Sequence, residues 1–230
     1  ECMGASLNQW LYDVLGRPLQ ALSGNILTYC LLMFLSDVFW FFGIHGAQIT
    51  NPVFIILFMS AGVDNQAALS AGRPMEHILT MGLAAYLTLG GAGTTIGLAV
   101  NLLLFSKSER YKALGKLAIL PSLCNINEPI LFGVPLILNP VMAVPFFAVP
   151  QITIILTYIV MRRGLVGLPR LAMGAAGMPV LFDAFLICGI SGMVWQLILI
   201  GITFAGYYPF FRIQDEAVYR EEQSMAVTDR

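Results

Sequence analysis

The chain has 230 residues, of which 58% are hydrophobic and 11% charged, with a formal net charge of −1. Soluble domains carry about 25% charged residues, so this composition excludes an ordinary soluble fold. A charge near zero also leaves no basic footprint for nucleic acid.

The opening residues Glu1 to Gly4 lack the basic start and short apolar core of a secretory signal. The chain also does not begin with Met, so a fragment or trimmed chain is expected. Residues 1–24 are predicted to form an interfacial amphipathic segment or linker. There Leu7 to Leu22 mixes Trp10, Tyr12, Leu15 and Leu19 with Asp13, Arg17 and Pro18. Residues 25–211 are predicted to be the membrane-embedded domain. A crossing helix needs about 20 predominantly apolar residues. Charge-free runs of that size are Pro18 to Ser36, Val38 to Val63 (apart from titratable His45), Ile78 to Ser106, Pro129 to Met161 and Ala184 to Phe211. Residues 212–230 carry Asp215, Glu216, Glu221 and Glu222 and are predicted to be a charged tail in water.

Basic residues gather at Lys107 to Lys116 and at Arg162 to Arg170. By the positive-inside rule both segments face the cytoplasm, as does the C-terminus. The stretch between them must leave that side and return to it. It holds Pro121, Pro129, Pro135, Pro140, Pro145 and Pro150, too many for one plain helix. Non-helical backbone at membrane depth is tolerated only where protein buries it or it lines a wet cavity. Pro121 to Pro145 is therefore predicted to be a re-entrant hairpin or broken helix. Gly90-Gly91-Ala92-Gly93 is read as a close-packing point between helices, or alternatively as a break. The expected architecture is all-α, a polytopic membrane protein of roughly six transmembrane helices plus at least one re-entrant hairpin.

Ionisable residues at membrane depth are expensive and mark pathways by default. The candidates are Asp37, His45, Asp64, Glu128 and Asp183. Asp37 and Asp64 fall near predicted span ends and are read as helix ends or structural hydrogen-bond partners. Asp183 follows Pro179 and is read as a helix cap. Glu128 differs, because Asn125, Asn127 and Pro129 surround it in the proline-broken run. Broken backbone carrying amides and a carboxylate is how transporters build midplane sites, and such a carboxylate can act as a general base. His45, set between Gly43 and Gly46, is read as a second polar contact. The cysteines, Cys2, Cys30, Cys124 and Cys188, show no CxxC or metal-ligand spacing. They read as small buried hydrophobes, and no metal or cofactor is predicted.

The segment Asn125-Ile126-Asn127-Glu128-Pro129-Ile130-Leu131-Phe132-Gly133-Val134-Pro135, with Asn139-Pro140 after it, resembles the signature of membrane permease (EIIC) subunits of the bacterial sugar phosphotransferase system (PTS). The likeness is to the lactose/cellobiose/diacetylchitobiose branch. Phe42-Gly43-Ile44-His45-Gly46 resembles that branch's histidine motif, in the right order and at a fitting separation. The resemblance spans nearly the whole chain but about the C-terminal half of a family member, the transport domain. It implies a plasma-membrane permease that binds a disaccharide, with phosphate donated by a separate EIIB subunit charged through EIIA. It also implies dimerisation through the N-terminal half, which has no counterpart here. Glu128 would stand as the catalytic carboxylate, and His45, Asn125 and Asn127 would bind the sugar together with it or brace the hairpin. One departure concerns a Trp-Thr-x-Pro-like segment whose Trp stacks on the sugar. Here the matching position reads Ala176-Gly177-Met178-Pro179, leaving Phe182, Phe185 or Trp195 as substitutes.

The competing readings are an ion-coupled or facilitative sugar carrier, an inactive truncated fragment or non-transporting scaffold, and an intramembrane hydrolase. The last is disfavoured because no Ser/His pair or metal cluster has usable spacing.

Overall fold

Helix α1 (Ile26–Phe41) begins where the Asn25 side chain accepts the Leu27 N–H at 2.8 Å, satisfying one of the donors a helix start leaves unpaired. It ends at a turn in which Gly43 takes φ 79°. α2 (Gly46–Ser70) then sets off against the end of α1. A Cβ at Gly46 would lie 1.9 Å from the Ser36 carbonyl oxygen, so only glycine permits this crossing. The computed structural model describes residues 22–174 and 177–228, which form helices and short turns with no strand among them. Most of the segment predicted at 1–24 lies outside the described residues.

α3 (Met81–Leu87) starts at Thr80, whose hydroxyl accepts the Leu83 N–H at 3.1 Å. A glycine loop and one tight turn (Ala92–Thr94) lead into α4 (Ile96–Phe105). The apolar stretch Met81–Thr94 and α4 are bent by 49° at this point. α5 (Glu109–Leu123) is followed by a short non-helical stretch, the six-residue α6 (Glu128–Gly133) and α7 (Pro140–Arg162). α8 (Val180–Thr228) is 49 residues long, with non-helical backbone at Gly189 (φ 72°).

The chain is therefore all-helical, and α2, α7 and α8 are each long and apolar enough to cross a membrane. The bent pair makes a fourth crossing when taken as one span, and α1 is a shorter apolar helix of 16 residues. The charge-free runs predicted more crossings because charge alone does not reveal a break. Residues 78–106 bend at the glycines, and residues 129–161 yield one unbroken span after α6. The proline series also behaves differently from expectation. The chain breaks between Leu123 and Pro140, but Pro145 and Pro150 lie inside continuous α7. Both are buried there, where packing against neighbours compensates for the missing N–H groups.

Two apolar clusters form the core. One gathers Tyr29, Phe54, Phe58, Leu83, Tyr86 and Ile187. The other gathers Trp40, Leu102, Tyr111, Phe146, Tyr207 and Phe211. Buried tyrosines give their hydroxyls to backbone carbonyls: Tyr29 to Thr80 at 3.1 Å, Tyr86 to Gly192 at 2.8 Å, and Tyr207 to Gly93. The charged tail is the helical end of α8. There Asp215 accepts the Lys107 and Ser108 N–H groups at 2.9 and 3.2 Å. Glu222 accepts the Ser108 hydroxyl at 2.7 Å and the Glu109 and Arg110 N–H groups at 3.1 and 3.0 Å. Two carboxylates from α8 thus cap the N-terminus of α5, where negative charge is favoured.

Candidate functional site

A cavity of about 460 Å³ opens among α1, the start of α2, the glycine loop, the 124–128 segment and the start of α8. That volume is in the range of small-molecule sites. His45, Asn125, Asn127 and Glu128 all line it, and so do Asp37 and Asp183.

The amide-carboxylate motif and the glycine loop are one unit. α5 ends at Leu123, and Asn125 takes φ 62°, a left-handed conformation that Asn tolerates better than most residues. Its Oδ1 accepts the Gly90 N–H at 2.9 Å. Asn127 uses both amide hydrogens, donating to the Ala92 carbonyl at 2.7 Å and to Thr95 Oγ1 at 3.0 Å. A Cβ on Gly91 would lie 2.4 Å from the Asn127 side chain. The glycines therefore both break the span and admit the asparagine, where the sequence favoured close packing over a break. This grip holds the start of α6, and Glu128 is its first residue with Pro129 next. The Glu128 side chain is exposed in the cavity and makes no hydrogen bond among the described residues. It stands open to whatever the cavity admits.

His45 sits at the start of α2. Its Nδ1 accepts the Gln48 N–H across a long 3.4 Å, so in the neutral ring the proton resides on Nε2, a donor. The ring lies 4.3 Å, centroid to centroid, from Trp40. Trp40 and Phe54 line the cavity; neither was singled out in the sequence. Of the suggested substitutes, Phe182 and Phe185 are exposed on the outside, and Trp195 donates its Nε1–H to Thr157 Oγ1 at 2.9 Å. None of the three lines the cavity. Ala176 lies outside the described residues, while neighbouring Met173, Gly174 and Gly177 form part of the wall.

The remaining ionisable candidates separate clearly. Asp64 is exposed, 3.8 Å from exposed His77, and away from the cavity. Asp183 lies in the first turn of α8, buried at the cavity wall, with its N–H donated to the Pro179 carbonyl at 2.9 Å. Asp37 is buried, and its Oδ1 accepts the Gly93 N–H at 3.0 Å. Its reading as a structural hydrogen-bond partner thus accounts for one of its oxygens. The signal that separates it from Asp64 is the glycine loop, whose backbone needs an acceptor.

Comparison with known proteins identifies the family and the fold. Residues 3–150 match the family model described as "Phosphotransferase system, EIIC". The chain is 37% identical over 223 residues to the lichenan permease IIC component of Bacillus subtilis, covering 96% of this chain and 49% of that one. It is 33% identical over 216 residues to the cellobiose-specific EIIC component of Geobacillus stearothermophilus, covering 92% and 48%. Among solved structures, it superposes with a TM-score of 0.90 and 34% identity on the transporter ChbC, the IIC component of the N,N'-diacetylchitobiose-specific phosphotransferase system. That match covers 95% of this chain and 51% of ChbC. The chain spans about half the length of the relatives it matches. An all-helical membrane fold, this likeness across nearly the whole chain and the amide-carboxylate cavity together show that the chain belongs to the EIIC family of the phosphotransferase system.

Proposed function

We propose that this chain forms the sugar-holding part of a PTS permease that takes up a disaccharide and delivers it phosphorylated. The observation that carries this is the unbonded Glu128 carboxylate, exposed in a cavity shared with His45. The names of its relatives point to sugars of the lichenan, cellobiose and N,N'-diacetylchitobiose kind. One hydroxyl of the bound sugar gives its proton to Glu128 as its oxygen attacks the phosphoryl group carried by EIIB. The P–O bond to the sugar forms, and the bond to the EIIB residue breaks. General-base help of this kind is worth about 10²–10⁴-fold. His45 donates Nε2–H to a second hydroxyl, and Trp40 offers an apolar face. Asn125 and Asn127 serve the sugar through their grip on the loop that holds Glu128.

The partners proposed are EIIB, recharged by EIIA. The proposed location is the bacterial plasma membrane with the C-terminus cytoplasmic, which the basic residues 107–116 and 162–170 support. Protease removal of a C-terminal tag in inside-out but not right-side-out vesicles is the result expected.

The deciding experiment is uptake of radiolabelled cellobiose and diacetylchitobiose into vesicles, with and without phosphorylated EIIB, for this chain and Glu128→Gln. Sugar phosphate formed by the wild type and lost in the variant supports the proposal. Free sugar entering equally well without EIIB overturns the phosphotransfer mechanism in favour of a carrier.

A further inference from the structure

Asp37 is a second acidic residue in the cavity lining besides Glu128, on a different element. It lies in the last turns of α1 and is 4% exposed. Its Oδ1 is held by the Gly93 N–H at 3.0 Å, whereas Oδ2 is buried and has no hydrogen-bond partner among the described residues. Buried carboxylate oxygens without partners are rare in native proteins, because they have lost water and gained nothing in exchange.

The surroundings leave little freedom. The peptide of Gly93 is fixed on its other side by the Tyr207 hydroxyl, donated to its carbonyl. Phe146 fills the space where a Cβ of Gly93 would go, 2.3 Å from that position. Asp37 and the loop are thus held together by the Gly93 N–H, with Tyr207 and Phe146 against the same residue. Among the described residues no Lys or Arg lines the cavity, whereas Asp37, Glu128 and Asp183 all do. A wall with this balance of charge disfavours an anionic ligand and offers acceptors to O–H donors.

We propose that Asp37 Oδ2 accepts a hydrogen bond from one hydroxyl of the bound sugar, making Asp37 a specificity-determining residue of the site. This rests on the sugar-binding reading above and adds to it a second carboxylate contact, on α1 rather than on α6. A sugar lacking that hydroxyl leaves the oxygen unpaired, which is how hydroxyl-reading sites discriminate.

The test is binding of cellobiose, diacetylchitobiose and their monodeoxy derivatives to the purified 230-residue chain in detergent, for wild type, Asp37→Asn and Asp37→Ala. Asp37→Asn keeps an oxygen for the Gly93 N–H and replaces the other acceptor by a donor. In the wild type, one deoxy position is expected to weaken binding about 10- to 100-fold, the range for hydrogen bonds to charged groups. In both variants the parent sugar weakens by a similar factor, and the penalty for that one deoxy position disappears. If every parent-to-deoxy ratio in Asp37→Asn matches the wild type, Asp37 serves only the loop and the inference is overturned while sugar binding stands. If the wild type binds neither sugar, the functional reading falls and this inference with it.

Discussion

Asn127 and Glu128 are neighbours with opposite consequences for the molecule. Replacing Asn127 by Asp removes both donors and sets an acceptor against the Ala92 carbonyl. The expected cost is about 1–3 kcal/mol or more, the penalty for a buried group left unpaired, read as a lower thermal midpoint in detergent. Glu128→Gln loses no hydrogen bond among the described residues, so its stability should stay within about 0.5 kcal/mol of wild type. A large drop in its midpoint would instead assign Glu128 a structural role. This motif was legible in the sequence because polar groups at membrane depth need partners, and a run of them with a proline is hard to place otherwise. Asp37 and Trp40 were not legible in the same way. Asp37 meets Gly93, 56 positions away, and Trp40 acquires meaning only when α1 is laid beside the cavity. Sequence periodicity within one helix contains neither fact.

At the scale of elements, close approach depends on a few glycines. α4 meets α8 at Gly97, where a Cβ would lie 2.2 Å from the Phe204 backbone nitrogen. α5 meets α4 at Gly115, where it would lie 2.6 Å from the Leu102 carbonyl carbon. Overpacking at such positions costs about 1–3 kcal/mol. Gly97→Ala and Gly115→Ala are each expected to destabilise by that amount in urea or thermal unfolding. Gly201→Ala has nothing within 4 Å of the new methyl and should be neutral, or stabilising by up to about 1 kcal/mol from helix propensity. Equal effects at Gly97 and Gly201 would show that helix contact is not what the first glycine secures. Helix identity was legible here, since apolar runs of this length have few alternatives in a membrane. Helix limits were less so. Prolines 145 and 150 resembled breakers, yet a helix buried on its neighbours carries both.

For the whole molecule, the joint between α8 and α5 makes stability depend on pH in a definable way. Glu222 lies in the charged stretch beyond the apolar run. The Ser108 hydroxyl, together with the Arg110 and Glu109 N–H groups, holds its carboxyl below the ordinary value of 4.5. A depressed value means that the folded state favours the ionised form. The joint's contribution is therefore complete above about pH 4.5 and is lost as pH falls through the lower folded value. Wild type should melt above Glu222→Gln at pH 7, and the two curves should converge in the acid range below 4.5. A constant gap at every pH would mean that the glutamate acts through packing alone. The tail was predicted as a solvated charged segment from its composition. Its helical continuation and its grip on α5 depend on contacts more than 100 positions apart, beyond what composition registers.

α8 begins at the cavity wall with Asp183 and runs to Thr228. At about 1.5 Å per residue the stretch beyond Gly189 extends about 60 Å, about twice the roughly 30 Å of bilayer hydrocarbon. Non-helical backbone at Gly189 divides it into a short arm bearing Asp183 and a long outer arm. A swing of about 10° there would carry the far tip by about 10 Å on the same geometry. The arm is riveted near that tip to the start of α5, whose other end leads directly into Asn125 and Asn127. The outer arm is therefore joined to the cavity by two routes, one through the short arm bearing Asp183 and one through α5.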